Sequence, residues 1–179
     1  EGCHFLQLLI RASMQNREVA LQNSAVERVC DAMKSHKASE SIARRGCGAL
    51  WGLATGSPAA KEAAFVAGAV PLVCAALERF HGQAALQKRG ITVLWSLASG
   101  HGQNKEVAMD HFAGNLIHAA MTRWPEDAVV QERCCGAIGS LAANAPDNQQ
   151  PLFRRGFVDL VVRAMETHEL QEQVQRHGC

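Results

Sequence analysis

Apolar residues recur along this chain with the spacing of an amphipathic helix. In four segments they occupy positions i, i+3 and i+4, which places them on one side of an α-helix. Each segment begins 44 residues after the one before it. The positions are Val29, Ala32, Met33; Val73, Ala76, Leu77; Ile117, Ala120, Met121; and Val161, Ala164, Met165. The pattern predicts four helices of one kind, each with a buried stripe.

A longer segment recurs at the same interval. It reads IARRGCGALWGLA from Ile42, and related segments begin at Leu86 and Val130, with a further copy opening at Val174. A fixed period of this length is typical of a solenoid, in which each unit buries its apolar face by stacking on its neighbours. An isolated unit is therefore not expected to fold.

Each unit is predicted to hold three helices. The recurrent segment forms the third helix, in which Leu50, Leu53 and Ala54 and their equivalents make the apolar stripe. Small residues at one further position allow a neighbouring helix to come close, and they are Gly46, Gly90 and Cys134. Because glycine inside a helix costs about 1 kcal/mol relative to alanine, we expect close packing at these positions.

Other recurrent residues predict the turns. Gly68 and Gly156 are expected to supply a positive φ between the first and second helices, with Ser24 in that place in the first unit. Phe112 occupies the position in the third unit, which predicts a shifted turn there.

Two more recurrent positions lie near the start of the first helix. The asparagines are expected to cap it from just ahead, and two prolines are expected in the link before it. These residues are Asn16, Asn104 and Asn148, and Pro58 and Pro146.

The period also fixes the predicted domain organisation. The whole of residues 1–179 is one array, with residues 1–13 as the last helix of a preceding repeat. Full repeats span 14–57, 58–101 and 102–145, and 146–179 form a partial repeat. Both ends fall inside the motif, which predicts that the array is part of a larger chain or complex.

The amino-acid composition bears on the class of partner and on the cellular compartment. Lys plus Arg number 18 and Asp plus Glu 17, so bulk charge indicates neither nucleic acid nor an anionic membrane as partner. The seven cysteines follow the repeat phase and include no Cys-x-x-Cys pair, which is typical of buried apolar positions in a reducing compartment. We therefore predict a cytoplasmic protein, with nuclear or cytoskeletal and axonemal locations left open.

A three-helix unit whose last helix reads Gly-Cys-x-Ala-Leu-Trp-x-Leu-Ala resembles the armadillo repeat family over essentially the whole chain. The Ala-Met-x-x-His ending of the second helix, at Ala32–His36 and Ala164–His168, resembles the 44-residue variant of large intracellular scaffold and regulatory proteins. The resemblance implies an all-α, right-handed α-solenoid that binds other proteins along the concave face of its third helices.

The same resemblance argues against one activity. Armadillo proteins that carry nuclear-import signals present a Trp and, four residues later, an Asn on the third helix. Here those positions hold small residues, namely Gly48, Thr92 and Gly136, and Gly52, Ser96 and Ser140. Trp51 and Trp95 lie elsewhere on the helix and are interpreted as packing between repeats rather than as peptide platforms.

The side of the third helix opposite its apolar stripe is the candidate binding surface. Three arginines recur there beside small and hydroxyl residues, and guanidinium groups bind carboxylates in bidentate fashion. We therefore predict an extended or helical partner segment with acidic character. The candidate partner-binding residues are Arg45, Arg89, Arg133, Thr92, Ser96 and Ser140. The alternative is that these arginines pair with Glu40, Glu132 or other local acids, or simply solvate the surface.

No catalytic, metal or cofactor motif is found in the sequence. The histidines lack metal-ligand spacing, and His36 and His168 are expected to meet carbonyls at a helix end. Cys134 and Cys135 have no neighbouring base.

The prediction is a non-enzymatic scaffold without a cofactor. One alternative is a structural component of a large cytoskeletal or axonemal assembly, using exposed residues such as Phe80 and Trp124. The other is a regulatory arm of a multidomain enzyme.

Overall fold

The computed structural model describes Gly2 and residues 13–179. Over residues 13–179 it contains twelve α-helices and no strand, which confirms the predicted all-α solenoid. The helices are α1 Met14–Gln22, α2 Ala25–Ser35, α3 Glu40–Ala54, α4 Pro58–Val66, α5 Ala69–Arg79, α6 Ala84–Ala98, α7 Gly102–Asp110, α8 Ala113–Arg123, α9 Ala128–Ala142, α10 Pro146–Arg154, α11 Phe157–Thr167 and α12 Glu172–Gly178. The helix predicted over 1–13 falls, apart from Gly2 and Ser13, outside the described residues.

The helices repeat as triplets in strict register. The first helices (α1, α4, α7, α10) begin at residues 14, 58, 102 and 146, and the second helices (α2, α5, α8, α11) at 25, 69, 113 and 157. The third helices (α3, α6, α9, α12) begin at 40, 84, 128 and 172. Each unit therefore reproduces the backbone of the one before it.

The turn between the first and second helices is the same in every unit. Gly68 and Gly156 have φ of 69° and 74°, and Ser24 has φ of 54°, as predicted. Phe112 also has a positive φ of 57°, so the shifted turn predicted there is wrong. Because the packing of the two flanking helices fixes this geometry, Phe112 adopts a conformation that is uncommon for a bulky residue.

The starts of the first helices differ from the prediction. Pro58 and Pro146 occupy the first turn of their helices, where the missing amide hydrogen has no helical partner, and are not in the link. The asparagines lie inside that first turn, and the caps are instead Ser13, Ser57 and His101. The Asn104 side chain donates to the carbonyls of Lys61 and Leu97, so its amide hydrogens, not its oxygen, tie the helix to its neighbours.

The third helices form a continuous ladder through the centre of the array. The side chains of Leu50, Leu94 and Leu97 are at most 1 % exposed. A Cβ atom at Gly90 would lie 2.6 Å from Leu77 Cδ2, and one at Gly46 would lie 2.6 Å from Met33 Sδ. The second helices therefore pack directly on the third-helix backbone, as the small residues predict.

Five of the six described cysteines behave as buried apolar residues, as predicted, whereas Cys179 is exposed. Burial raises the pKa of Cys30 to about 11 and those of Cys47 and Cys74 to about 12. Cys134 and Cys135 are also buried, and none of these five is in a disulfide. Their thiols are therefore protonated at neutral pH, which does not favour a nucleophilic role.

No single helix in the described part of the chain has the length and apolar character needed to cross a bilayer. Within the described residues, α4 and α5 reach that length and apolar character only when they are counted together, and they are bent by 73° relative to each other.

Candidate protein-binding groove on the third helices

A shallow groove runs along the exposed side of the third helices. It consists of two adjacent hollows that share Trp51 and Thr55, of about 330 and 270 Å³. We call it the inner groove. The first hollow is lined by Ser13, Met14, Arg17, Gly48, Trp51, Gly52 and Thr55. The second is lined by Trp51, Thr55, Gly56, Lys61, Thr92, Trp95, Ser96, Ser99 and Arg133.

Trp95 joins three successive third helices across this surface. It belongs to α6, and its ring atoms lie where a Cβ atom on Gly136 of α9 would be 2.7–2.8 Å away. The ring also meets the imidazole of His177 on α12 edge-on, with centroids 4.7 Å apart and an interplanar angle of 81°. Since side chains of α6 and α12 touch above α9, this face of the ladder curves inward.

Charged groups surround Trp95 at this end of the groove. The guanidinium carbon of Arg133 lies 5.9 Å from the indole centroid, within cation–π range. Arg133 Nη1 also lies 3.2 Å from Glu132 Oε1. Burial lowers the pKa of His177, Glu132 opposes that effect, and Arg176 and Arg133 reinforce it. Arg133 therefore has partners within the fold while it remains on the wall of the groove.

Basic side chains of the first helices hold the ends of the third helices in place. Arg17 donates to the carbonyl of Thr55, Lys61 to that of Ser99, and Lys105 to that of Ala143. Each acceptor is the C-cap residue directly after a third helix, where the helix dipole favours a positive charge. These cations tie the first helix of each unit to the third helix of the same unit, and Arg17 and Lys61 also line the groove.

Ion pairing also fixes the other ends of the third helices. Lys88 Nζ on α6 lies 2.6 Å from Asp127 Oδ2, the residue that caps α9. Burial by itself would raise the pKa of Asp127, but hydrogen bonds from Lys88 and from the amides of Val130 and Val129 outweigh it and lower the pKa. This ion pair joins α6 to the start of α9.

The structure brings together only some of the predicted site residues. Thr92, Ser96 and Arg133 line the second hollow. Arg45, Arg89 and Ser140 are half-buried on the same helices but do not line either hollow. The positions that the sequence assigned to the open surface are therefore more enclosed than expected.

Individual side chains account for this difference. Thr92 is 7 % exposed and its hydroxyl donates to the Lys88 carbonyl at 2.6 Å, so the prediction that it is displayed on the surface is wrong. Gly136 is buried beneath Trp95. The charge of Arg89 is close enough to Cys47 to oppose the rise in that thiol's pKa, which places Arg89 toward the preceding third helix. Local pairing of Arg133 with Glu132 agrees with the alternative interpretation of the arginines.

Sequence reasoning missed the tryptophans as groove residues. Trp95 packs between repeats as predicted, but Trp51 and Trp95 are only half-buried and line the groove as well. The signal in the sequence was the glycine at position 136, which leaves room for an indole from the preceding unit. The recurrent cations Arg17, Lys61 and Lys105 were also missed, although they share one repeat phase.

Residues proposed for other surfaces are placed differently. Phe80 and Trp124 are half-buried at the ends of α5 and α8, so their predicted exposure is wrong. His168 Nε2 donates to the Pro125 carbonyl at 2.8 Å, a contact with the preceding unit rather than with its own helix end. His36 is exposed. In residues 13–179, no three His, Cys, Asp or Glu side chains are grouped as metal ligands would be.

Comparison with known proteins agrees with this geometry. Among solved structures, an engineered protein (structural genomics target OR366) has a TM-score of 0.84 at 19 % identity, over 98 % of this chain and 69 % of its own. A designed armadillo repeat protein, YIII(Dq.V1)4CPAF, in complex with the peptide (KR)4, has a TM-score of 0.81 at 16 % identity, over 98 % and 70 %. The designed armadillo protein YIII(Dq)4CqI has a TM-score of 0.84 at 15 % identity, over 98 % and 71 %.

Sequence comparison gives the family. No curated protein matches the chain. The sequence model of one family, described as LRRK2 ARM repeat, matches residues 2–179. Because that match covers nearly the whole chain, the protein belongs to the LRRK2-type armadillo repeat family.

Proposed function

We propose that this array is a non-enzymatic scaffold whose inner groove binds an acidic segment of a partner protein. The observation that carries the proposal is the arrangement at the second hollow, where two half-exposed indole rings, Trp51 and Trp95, flank hydroxyl groups and the guanidinium of Arg133. Indole faces bind apolar side chains, and a guanidinium near them binds a carboxylate.

Charge in and near the groove supports an acidic partner. Lys61 and Arg133 line the second hollow and Arg17 lines the first, whereas no carboxylate of the described residues lines either hollow. A designed armadillo protein of the same fold carries the basic peptide (KR)4. The groove of this chain is lined by cations, which favours an acidic peptide instead.

The test is peptide binding by fluorescence anisotropy with two labelled probes, (Glu-Ala)4 and (KR)4. We expect (Glu-Ala)4 to bind more tightly than (KR)4, with an affinity that falls as salt is raised. A Kd for (KR)4 equal to or below that for (Glu-Ala)4 would reject the acidic partner. If neither peptide shows saturable binding, the groove is not a peptide site.

Charge-reversal variants test whether the peptide binds in the inner groove. Arg133→Glu is expected to weaken (Glu-Ala)4 binding at least about tenfold, because a charge-assisted hydrogen bond contributes about 1.5–3 kcal/mol. The matched variant Arg163→Glu makes the same change of charge at an exposed position away from the groove. Equal losses in the two variants would mean that bulk charge, not this site, attracts the peptide. Circular dichroism checks that both variants fold.

A second candidate role, as one component of a larger chain or assembly, is favoured by the outer face of the last unit. Val158 and Val162 are 54 % and 48 % exposed, whereas Val70 and Cys74, at the equivalent positions of the second unit, are 2 % and 4 % exposed. Phe153 beside them is 65 % exposed. A further apolar surface stacked there would bury these side chains.

Light scattering tests this second role. The chain is expected to self-associate or aggregate more readily than the double variant Val158→Lys and Val162→Lys. Identical mass distributions for the two proteins would remove the support.

The cytoplasm is the compartment proposed for either role, because the five buried thiols have no disulfide partner.

A further inference from the structure

We infer that the second-helix surface of the first unit holds a binding pocket for a primary amide, of the kind a glutamine side chain of a partner protein presents. The pocket lies at the junction of α2, α3 and α5, shares no lining residue with the inner groove, and has a volume of about 450 Å³. Its site and ligand are therefore independent of the function proposed above.

The later units show what this position ordinarily contains. In each of them a glutamine near the start of the third helix reaches back and donates to two carbonyls at the end of the second helix. Gln87 Nε2 donates to Leu77 at 2.7 Å and Phe80 at 3.2 Å. Gln131 Nε2 donates to Met121 at 3.0 Å and Trp124 at 2.8 Å. Gln175 Nε2 donates to Met165 at 2.8 Å and His168 at 3.2 Å.

The first unit lacks this side chain. Its residue at the same phase is Ala43, which is buried and lines the pocket with Met33 and His36. The Ser39 amide donates to the His36 carbonyl, as the equivalent amide does in the other units, but none of the described residues donates to the carbonyl of Met33. A helix-end carbonyl near an open pocket is thus left with unused acceptor capacity.

The residues that line the pocket suit a ligand with an amide group on an apolar chain. Met33, Ala43 and Ala76 are buried at its floor, and Pro71 and Leu72 are half-buried in its wall. Carbonyl oxygens accept hydrogen bonds only, so an N–H group is favoured there and a carboxylate is repelled. The rim carries His36, Lys37, Glu78 and Arg79, all exposed, which gives no single sign of charge. A neutral donor therefore fits better than an ion of either sign.

The probe is butyramide, which carries the amide of glutamine on a short apolar chain, and the matched control is butyrate, which has the same shape but no N–H donor. Titrations are followed by protein-observed NMR of the backbone amides of His36, Lys37, Ala43 and Ala76. We expect saturable butyramide shifts at these residues with a Kd on the order of 1–30 mM, as is usual for a ligand of so few atoms. Butyrate is expected to bind at least about fivefold more weakly because it cannot donate to the carbonyls.

Two variants with opposite expected outcomes complete the experiment. Ala43→Gln should donate to the Met33 and His36 carbonyls, abolish the butyramide shifts and raise the melting temperature, because it recreates the bond pattern of the other units. The hollow itself should persist, as the equivalent one of about 320 Å³ does beside Gln131 in the third unit. Gln87→Ala should free the carbonyls of Leu77 and Phe80 and produce new shifts around them while the original site is retained.

Three results would overturn the inference. They are butyramide shifts that do not saturate, equal affinities for butyramide and butyrate, and unchanged butyramide binding to Ala43→Gln. None of these depends on the acidic peptide, so failure here is distinct from failure of the proposed function.

Discussion

The first helices and the third helices of this array differ in what they bury. The third helices α3, α6 and α9 contain eight, nine and eight buried residues, whereas the first helices α1, α4, α7 and α10 contain none, two, three and one. The third helices therefore contribute both to the core, which they share with the second helices, and to the groove wall. The first helices contribute chiefly through polar contacts that tie them to their neighbours.

This comparison shows how one helix serves two purposes. Leu94 and Leu97 of α6 are in the core while Trp95 and Ser96, between them in sequence, line the groove. Because the helix is anchored on its inner side and pinned at its ends by Lys88 and Lys61, its groove side is preorganised for binding. Substitutions on the two kinds of helix test this difference in burial.

The largest effect is expected from Leu94→Ala on a third helix. Leu94 is 1 % exposed, and removing a buried leucine side chain lowers the free energy of unfolding by about 2–5 kcal/mol. Val66→Ala on a first helix is the matched control, since Val66 is 76 % exposed and should change that energy by less than about 0.5 kcal/mol. Urea denaturation measures both. Similar losses would show that the first helices carry as much of the core as the third.

A smaller effect is expected at glycines of the third helices. In Gly90→Ala the new Cβ would lie 2.6 Å from Leu77 Cδ2 and 3.0 Å from Cγ, so overpacking should cost about 1–3 kcal/mol. That cost exceeds or offsets the gain of about 1 kcal/mol in helix propensity. Gly139→Ala meets no atom within 4 Å and should stabilise by up to about 1 kcal/mol. If thermal denaturation gives the two variants the same sign, the close approach of α5 to α6 does not limit the residue at 90.

The contribution of the first helices is tested by Lys105→Met. Lys105 is 7 % exposed and donates to the carbonyl of Ala143, the C-cap residue of α9. Loss of a charged hydrogen bond at a helix C-terminus should lower the free energy of unfolding by about 1 kcal/mol. Lys37→Met, at an exposed lysine outside the helices, should have little effect. Equal or greater stability of Lys105→Met would show that burying the ammonium group costs more than its bond contributes.

The smallest effect is expected from acidification at the end of the groove. The pKa of His177 is lowered, chiefly by burial, so the unfolded chain binds a proton more readily than the folded one. Its contribution to stability is therefore complete above the ordinary histidine pKa of about 6.5 and is lost as pH falls below it. His177→Gln should flatten this part of the urea midpoint profile between pH 7.5 and 5. A variant profile as steep as that of the native chain would assign the dependence to other groups.

Much of this architecture follows from the sequence alone. A constant interval of 44 residues, with apolar residues at i, i+3 and i+4, determines three helices per unit and which residues form the core, because each apolar stripe is buried only if equivalent units stack. The small residues at Gly46 and Gly90 likewise fix where the second helix approaches. Local rules also predicted the positive φ at Gly68 and Gly156.

Only the tertiary structure decided which exposed positions meet across units. That Trp95 passes over Gly136 to His177, and that Thr92 turns its hydroxyl onto its own helix, depends on the curvature of the ladder and on side-chain rotamers. The vacancy at Ala43 is similar, since an alanine within a repeat acquires meaning only when the glutamines of the other units are seen donating to the carbonyls beside it. Helical periodicity fixes which side of a helix is buried, whereas contacts between helices far apart in sequence depend on how the units are oriented in space.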